Sequence, residues 1–490
     1  MSDKSYLSEQ INLMTLTTLD LMTDEEFEVY KQIVNCINKI GEEDIAIKEN
    51  SLHDPSIRQE AINQKKANQE KLDKLIQKHN GIPRVVQYKR LLDTRRLERD
   101  ENDEIIWPPG ITWNALKTSR KISEFVSAES RIMGLKPGEI TFDKIIVKWK
   151  SLDILKQIVL NGFIVPIQEQ NGTVTNKHLI FLTASSGQLR TDKTQFIEEN
   201  TWNRIKSNLM NGLTFEEIND IKINCNKLMA YLALSSSASI EWHDVTIDNI
   251  IVVEDFENEI TEEFDNIDEQ YNIKREIRTV KIKQSDGIGM MLPSVSRKNF
   301  QLRSIWLKGL LTSFDFIKFC EVNNCPAKLV DIYGVEHDLI EENIKVILFK
   351  SQFKLYKYYK NWEDYKQKFK ENNCVLNITN IEEDYIANSP FNYQFCQSLV
   401  HMTDEEIDEF VKPTHEKIEN ITKNQESMLK ALKADVNSEN PYKRSLAIYP
   451  ELLKEAYTKE TLKDIKTRWL LDAKSGKIYC ENKRLFAVPD

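Results

Sequence analysis

Hydrophobic and polar positions divide the chain into a helical first part, a strand-rich middle part and a helical last part. Residues 23–47 and 54–81 carry apolar residues at helical spacing, with helix start signals before them. From Lys136 onward, β-branched and aromatic runs separated by Gly, Asn and Asp predict strands, with an Asn-Gly hairpin signal at residues 169–174. After Ile344 helical spacing returns. The pattern predicts an α+β protein.

One segment of the last part, residues 353–370, interleaves aromatic residues with lysines. Its aromatic residues recur every three or four positions: Phe353, Tyr356, Tyr359, Trp362, Tyr365 and Phe369. Aromatic faces beside cations can stack bases and bind phosphates in a single-stranded nucleic-acid groove. The same spacing is typical of an amphipathic helix that buries its aromatic stripe and exposes its lysines. We favour the second interpretation.

The composition of the chain favours some classes of protein over others. The chain has 490 residues, of which 40% are hydrophobic, as in folded globular proteins. It shows no apolar run long enough to cross a bilayer and no secretory signal at its start, so we expect a cytoplasmic protein without membrane contact. The seven cysteines are odd in number and scattered, which indicates reduced thiols. Cys320 and Cys325 form a C-x4-C pair, for which we favour buried thiols over a metal site.

Charge is segregated within the strand-rich part. The net charge of −10 argues against a protein that binds nucleic acid indiscriminately. Residues 254–269 are more than half acidic. The charged residues of the segment 274–308 are all basic, apart from Glu276 and Asp286. Such segregation could concentrate electrostatic potential in one groove. It is also common where an acidic loop and a basic hairpin lie exposed on a protein surface.

The candidate chemistry lies in residues 285–309, SDGIGMMLPSVSRKNFQLRSIWLKG. Asp286-Gly287-Ile288-Gly289 predicts a turn, because glycine permits positive φ. Gln301 and Arg303 are two residues apart and therefore share one face of a strand. Lys308 precedes Gly309, whose missing side chain leaves the backbone open to close approach. A guanidinium and an ammonium beside an open backbone position predict a phosphate site.

Residues 285–309 resemble the first of two double-psi β-barrels in the RNA-dependent RNA polymerase family of eukaryotic gene silencing. Relatives of that family include single-chain RNA polymerases of bacterial phages and prophages. Three further segments resemble family motifs in the family's order: TASSGQLR (183–190), ALSSSAS (233–239) and FNYQFCQSL (391–399). The resemblance covers roughly Lys136 to the last residue. The chain departs from the family at SIWL (304–307), where members usually have Gly-rich residues.

The resemblance implies an organisation and a set of site residues. It implies a helical N-terminal region at 1–135, a mixed α/β slab-like region at 136–220, the first double-psi β-barrel at 221–345 and a helical connector at 346–490. It also implies catalytic roles for Lys308 and Arg303, which would contact the end of the growing strand or the phosphates of the incoming nucleotide. Residues expected to contact substrate are Gln301, Gly309, Lys298 and Arg190.

The resemblance further implies Mg²⁺ held by an Asp-x-Asp-Gly-Asp loop in a second barrel, because nucleotidyl transfer needs metal ions on clustered carboxylates. The 490 residues contain no D-x-D, and no metal ligand is predicted within them. We therefore expect an N-terminal portion of a two-barrel RNA polymerase. A C-terminal half-polymerase chain would supply the acidic cluster, without which the chain would be inactive. Its other partners would be nucleoside triphosphates, a nucleic-acid template and the RNA product.

Two alternatives stay open, and a third is disfavoured. A DNA template is favoured over RNA only because the Lys/Asn/Ile-rich composition is typical of low-GC bacterial or phage genomes. The chain could instead be a non-catalytic nucleic-acid-binding or regulatory protein that retains one barrel. A metal-dependent hydrolase or nuclease is disfavoured, because the seven histidines show no ligand spacing.

Overall fold

The computed structural model describes residues 12–49, 55–76, 84–87, 99–102, 104, 106, 109–112, 126–136, 139–220, 224–382, 391, 402–438 and 440–479. The chain divides into two compact units, Met1–Glu382 and Glu383–Asp490. Helices and mixed sheets together make the protein α+β, as the hydrophobic pattern predicts. Among the described residues, none of the helices combines the length and the apolar character needed to span a membrane.

The strands of the first unit are β1 (Asn12–Thr17), β2 (Arg84–Val85), β3 (Ile111–Thr112), β4 (Val126–Ser127), β5 (Ile140–Lys148), β6 (Phe163–Gln168), β7 (Val174–Thr183), β8 (Lys193–Glu198), β9 (Ala238–Glu241), β10 (Ile250–Val253), β11 (Glu257–Ile267), β12 (Ile273–Lys283), β13 (Ile288–Met291), β14 (Phe300–Ser304), β15 (Leu307–Ser313), β16 (Lys328–Val330), β17 (Glu336–Asp338), β18 (Val346–Phe349) and β19 (Asn377–Thr379).

The helices of the first unit are α1 (Asp24–Glu49), α2 (Pro55–Ile76), α3 (Ala128–Ile132), α4 (Leu152–Asn161), α5 (Ser186–Leu189), α6 (Glu199–Leu209), α7 (Phe215–Asp220), α8 (Cys225–Leu232), α9 (Phe316–Val322) and α10 (Trp362–Glu371). α1 and α2 lie where the spacing predicts two helices.

A seven-stranded sheet forms the first layer of this unit. Its order is β1-β5-β8-β7-β6-β2, with β3 also paired to β6. β1/β5, β2/β6 and β3/β6 are parallel and the other pairs are antiparallel. The predicted Asn-Gly signal lies in the β6–β7 connection, where Gly172 has a φ of 82°. Apolar side chains of β5, β6 and β8, such as Ile145, Phe163 and Phe196, pack with α4 into one core.

An eight-stranded sheet forms the second layer, in the order β10-β18-β13-β15-β14-β19-β9-β4. Its β10/β18 and β13/β15 pairs are parallel and the rest are antiparallel. Two of its strands, β18 and β19, lie beyond Ile344, where the spacing predicts helix. These strands have only four and three residues, which is too short for their alternating pattern to be told apart from helical spacing.

The aromatic segment 353–370 supplies much of this second core. Phe353, Tyr359, Trp362, Tyr365 and Phe369 are all buried. The indole of Trp362 donates to the carbonyl of Ile250 at 2.7 Å, so even its polar atom is satisfied inside the protein. The buried aromatic stripe is confirmed for these five residues, whereas Tyr356 is only partly buried. The predicted amphipathic helix is confirmed only from Trp362 onward, where α10 begins.

The segregated charges lie on β11 and β12, which pair only with each other as a two-stranded hairpin that we call the charged arm (257–283). Glu257 is opposite Lys283, Glu262 is opposite Arg278, and nearly every position is exposed. The acidic run is therefore neutralised by much of the basic run across the strand pair. The charged arm is thus an exposed hairpin whose opposite charges face each other, and the segregation does not create a one-sign groove there.

Helix α3 joins the two sheets through buried charge. Its Glu129 accepts from Lys144 of β5 at 2.6 Å, and the two side chains are 0% and 3% exposed. Ser236, in the serine-rich segment that leads into β9, also donates to Glu129, at 2.9 Å. Arg131 donates to the carbonyl of Ser239 on β9 at 2.7 Å and to the side-chain oxygen of Asn377 on β19.

The second unit contains four described α-helices: α11 (Asp404–Asn420), α12 (Gln425–Ala431), α13 (Pro441–Ile448) and α14 (Ala456–Lys474). A short 3₁₀ helix, Pro450–Lys454, lies between the last two. Thr403 caps α11 in a capping box with Glu406. Ile421, Leu432, Leu446 and Leu462 belong to its small core. The FNYQFCQSL segment lies outside the described residues except for Phe391.

Replacing Glu129 by Gln keeps the shape of the side chain but leaves Lys144 as a buried, uncompensated cation. We expect the free energy of unfolding of the first unit to fall by about 3–5 kcal/mol, because the desolvation cost of a buried ion is no longer offset. Urea unfolding followed by tryptophan fluorescence measures the change. As a control, Glu336→Gln in the exposed Lys328–Glu336 pair should cost no more than about 1 kcal/mol. Equal effects of the two substitutions would contradict a structural role for the buried pair.

Candidate functional site

The candidate site is built on the antiparallel hairpin of β14 and β15. Arg303 lies directly opposite Lys308, and Gln301 lies opposite Leu310. Residues opposite each other in an antiparallel pair point to the same face, and so do residues two apart in a strand. Gln301, Arg303 and Lys308 therefore share one face, while Phe300, Leu302 and Ser304 are buried on the other.

The turn of this hairpin is the two-residue connection Ile305-Trp306, where the resembled family has glycines. Trp306 has a φ of 61° and is 1% exposed, an unusual conformation for a bulky side chain. Its indole donates to the carbonyl of Met210 at 3.3 Å. The carbonyl of Ile305 accepts from the Tyr365 hydroxyl at 2.6 Å, and the carbonyl of Trp306 accepts from the backbone N–H of Lys354 at 2.7 Å.

These contacts compensate a strained backbone. A non-glycine residue in the left-handed region costs about 1–3 kcal/mol, and burial of a large apolar side chain returns a similar amount. Both residues of the turn, Ile305 and Trp306, are consequently held to the core by hydrogen bonds. Arg303 and Lys308, which flank it, are held in position by that anchoring.

The shared face carries positive charge without acidic compensation. The Arg303 guanidinium donates to the carbonyl of Leu302 at 2.9 Å and to the side-chain oxygen of Gln301, which also accepts from Asn380 at 3.1 Å. Among the residues that the structure describes, neither Arg303 nor Lys308 has an ion-pair partner. Directly opposed like charges destabilise a strand pair, so the hairpin holds a charge pair that its own stability does not favour.

The pKa values of both groups reflect this environment. Burial lowers the pKa of Arg303. Partial burial lowers the pKa of Lys308, and the charge of Arg303 lowers it further. An anion bound between the two groups would oppose this lowering for Lys308, because a neighbouring negative charge stabilises the ammonium form. The face is therefore suited to bind phosphate.

Lys354 is a third cation of the site, which the sequence pattern does not predict. Its ammonium donates to the carbonyl of Ser351. Burial lowers the pKa of Lys354, the carboxylate of Asp286 acts in the opposite direction, and the charge of Lys308 lowers it again. Lys354 is one of many lysines between the aromatics of 353–370, and nothing in their spacing distinguishes it from the others.

Two glycines of the 285–309 motif, Gly289 and Gly309, pack against one buried amide, Gln352, which is 0% exposed. Its nitrogen donates to the carbonyl of Leu310 at 3.0 Å, and its oxygen accepts from the N–H of Phe349 at 3.0 Å. A Cβ on Gly289 would lie 2.5 Å from the Gln352 oxygen, and one on Gly309 would lie 2.7 Å from its Cγ. A Cβ on Gly289 would also lie 2.7 Å from the carbonyl oxygen of Ile347, and one on Gly309 would lie 2.7 Å from that of Gly287, so both positions require glycine.

Gly287 has a different task in the same cluster. It adopts a φ of 73°, as the predicted turn requires. Its N–H donates to the Ser351 hydroxyl at 3.0 Å, and its carbonyl accepts from Leu310 at 2.8 Å. The turn thus connects β13, β15 and the 350–354 segment that carries Lys354.

Not all predicted site residues come together. Gln301, Arg303 and Lys308 share a face. Gly309 points to the opposite side, where Gln352 fills the space beside it, so a contact of Gly309 with substrate stays a prediction. Lys298 precedes β14, at the end of that strand remote from the turn, and is exposed. Arg190 is exposed in the connection between β7 and β8 of the other sheet.

The described residues do not fit a magnesium site. Among them, no group of three or more His, Cys, Asp or Glu side chains could hold a metal ion. Asp255 forms an ion pair with Lys283 at 3.3 Å and accepts from Ser285 at 3.3 Å. Asp286 is exposed and acts on Lys354 electrostatically. The described part of the site therefore supplies cations but no carboxylate cluster that could hold a metal ion.

Comparison with known proteins gives one relationship. No family model matches the chain. A curated protein named DNA-directed RNA polymerase YonO, of Bacillus phage SPbeta, is 35% identical over 450 residues, which are 90% of this chain and 51% of that protein. The chain therefore spans about half the length of the curated relative that it matches. It is related in sequence to an RNA polymerase of a phage.

Gly309→Ala tests the packing around Gln352. We expect it to lower the free energy of unfolding by about 1–3 kcal/mol, because the new methyl group overpacks the contact with Gln352 and with the carbonyl of Gly287. Adding Gln352→Ala should recover part of that loss, since only the second contact remains. Gly187→Ala is the control, because a Cβ there meets no atom closer than 4.0 Å. Additive effects of Gly309→Ala and Gln352→Ala in urea unfolding would show that the two positions do not interact.

Proposed function

We propose that this chain supplies the basic, phosphate-binding part of the active site of a template-directed RNA polymerase. The observation that carries this proposal is the Arg303–Lys308 pair, two cations opposed on one hairpin with no acidic partner among the described residues. The sequence relationship to a phage RNA polymerase supports it. The order of the polymerase-like motifs along the chain supports it as well.

The eight-stranded sheet is proposed to contain the first double-psi β-barrel of the resembled family. The 233–239 motif leads into β9, and the 285–309 motif forms β13, β14 and the start of β15, all in this sheet. Because β4, β18 and β19 also belong to the sheet, the proposed barrel region draws on residues outside 221–345. Within 346–490 the connector would begin only after β19.

The proposed chemistry is stabilisation of phosphate charge by fixed cations. Lys308 is exposed enough to reach a ligand, yet burial and Arg303 keep its pKa lowered. The end of the growing strand or the triphosphate of an incoming nucleotide would replace the missing counter-charge. In a site from which water is partly excluded, such preorganised charge is worth far more than in bulk water.

Arg303 and Lys354 would complete the cation group. Arg303 uses part of its guanidinium to hold Gln301 and the Leu302 carbonyl, which orients the rest. The charge of Lys308 lowers the pKa of Lys354, which indicates that the two ammonium groups lie near each other. Gln301 would contact substrate through the same face. Lys298 and Arg190 would act farther from the turn, on the path of the nucleic acid.

The magnesium-binding carboxylates are proposed to come from polypeptide outside these residues. The chain contains no D-x-D, and the described residues offer no carboxylate cluster. The matched relative is about twice as long as the matched region. We propose that RNA synthesis requires a second polymerase half that carries the acidic cluster, with the present chain inactive without it.

The proposed substrates are nucleoside triphosphates and a nucleic-acid template, with DNA favoured. The relative is named a DNA-directed RNA polymerase, which favours DNA over RNA. A second candidate function is non-catalytic nucleic-acid binding by a chain that retains one barrel. The absence of a carboxylate cluster among the described residues favours that candidate, because basic residues alone can bind phosphate but cannot hold the metal.

Lys308→Ala should weaken binding of a single-stranded oligonucleotide by roughly tenfold or more, because a hydrogen bond to a charged group contributes about 1.5–3 kcal/mol. It should also reduce the slope of log Kd against log salt by about 1. Filter binding at several salt concentrations measures both. Lys318→Ala, at an exposed lysine of α9, is the matched control and should leave affinity unchanged.

RNA synthesis separates the two candidate functions. With the acidic half supplied, wild-type chain should support nucleotide incorporation on a DNA template, and Lys308→Ala should abolish it without loss of folding. Binding without any synthesis by the wild-type combination would favour the non-catalytic candidate. Synthesis by Lys308→Ala at the wild-type rate would overturn the role assigned to Lys308.

A further inference from the structure

Cys320 and Cys325 lie at the C-terminus of α9, in a Schellman motif. The N–H of Cys325 donates to the carbonyl of Cys320 at 3.0 Å, and the N–H of Asn324 donates to that of Glu321 at 3.2 Å. Asn324 adopts the left-handed conformation, with a φ of 53°. In this motif the side chains three positions before and two positions after the helix end come into contact. Those two positions are occupied by cysteines.

The two thiols are adjacent and accessible. Cys325 is exposed and Cys320 is partly exposed. Burial raises the pKa of the Cys320 thiol, and a hydrogen bond with the Cys325 side chain raises it further. The interpretation of this pair as buried thiols is wrong, because Cys325 lies beyond the helix end. Among the described residues the pair has no third side chain that would complete a metal site.

We propose that Cys320 and Cys325 form a thiol–disulfide exchange site that accepts a low-molecular-weight disulfide, such as oxidised glutathione, and closes reversibly to a disulfide. This site is separate from the Arg303–Lys308 face and does not depend on the proposed polymerase function. The geometry that supports it is the side-by-side placement of two accessible thiols by the helix cap.

The exchange proceeds in two balanced steps. The Cys325 thiolate attacks one sulfur of oxidised glutathione, a protein–glutathione bond forms, and glutathione thiolate leaves. The Cys320 thiol then loses its proton to solvent and attacks the Cys325 sulfur. The Cys320–Cys325 bond forms and a second glutathione thiolate leaves. Two protein thiols are oxidised, one disulfide is reduced to two glutathione molecules, and the released protons end on those products or in water.

The order of attack follows from exposure. Cys325 is the more accessible sulfur and therefore meets the small disulfide first, while Cys320 has the raised pKa and acts as the resolving thiol. The cap hydrogen bonds already order the residues between the two sulfurs. Ring closure thus has little loop entropy to overcome and should outrun dissociation of the mixed disulfide.

Peptide mapping by mass spectrometry tests this site in the intact chain. Oxidised glutathione is added to the native protein, remaining thiols are blocked in acid, and trypsin releases the peptide from Phe319 to Lys328, which holds both cysteines. We expect that peptide to lose two hydrogens and to carry no glutathione. Dithiothreitol should restore both thiols. Cys225, which is exposed on α8, serves as an internal control that reports accessibility to the same reagent.

Two variants assign the steps. Cys320→Ser should trap a glutathione adduct on Cys325, because the resolving thiol is gone. Cys325→Ser should leave Cys320 largely unmodified. A wild-type chain that accumulates the adduct on Cys325 without closing, or that closes only after unfolding in urea, would overturn the proposal. Modification of Cys225 with both cysteines of the peptide left free would overturn it as well.

Discussion

The opposition of Arg303 and Lys308 across one strand pair is the constraint on which the proposed site depends. Two like charges at directly facing positions raise the free energy of a hairpin, and here no described carboxylate lowers it again. A ligand with negative charge would remove that penalty. The like-charge opposition that weakens the free hairpin would thus make phosphate binding favourable. It also explains why many buried contacts are needed to hold the hairpin in place.

The hairpin is held in place by buried polar contacts with the rest of the first unit, rather than by its own strand pairing. Trp306 and Tyr365 anchor the turn, and Gln352 spaces β13, β15 and the segment that carries Lys354. Each of these side chains is buried with its polar atoms satisfied, which specifies one arrangement instead of several. Glycine is needed at 289 and 309 because Gln352 and neighbouring backbone carbonyls occupy the space. Residues of the 285–309 motif therefore pack together with residues outside it, such as Gln352 and Tyr365, in one arrangement.

The sequence predicted those features that depend on local periodicity. The two-residue spacing of Gln301 and Arg303 placed both on one face, and the three- to four-residue spacing of Tyr359, Trp362 and Tyr365 predicted a buried stripe. It could not predict Gln352 or Lys354, because their importance arises from strands that meet only in the folded chain. The same holds for Glu129 and Lys144, whose pairing joins two sheets, and for the charged arm, whose opposite runs neutralise each other only when β11 and β12 pair.

The pKa of Lys308 in the free and ligand-bound chain tests the central claim most directly. Lysines carrying ¹³C-methyl groups can be titrated by NMR, with Lys308→Arg identifying the resonance. In the free chain we expect Lys308 to titrate below the ordinary lysine pKa of about 10.4, since burial and Arg303 disfavour its charged form. Inorganic triphosphate should raise that pKa, because the bound anion favours the ammonium. An ordinary pKa that triphosphate leaves unchanged would contradict a phosphate site at this hairpin.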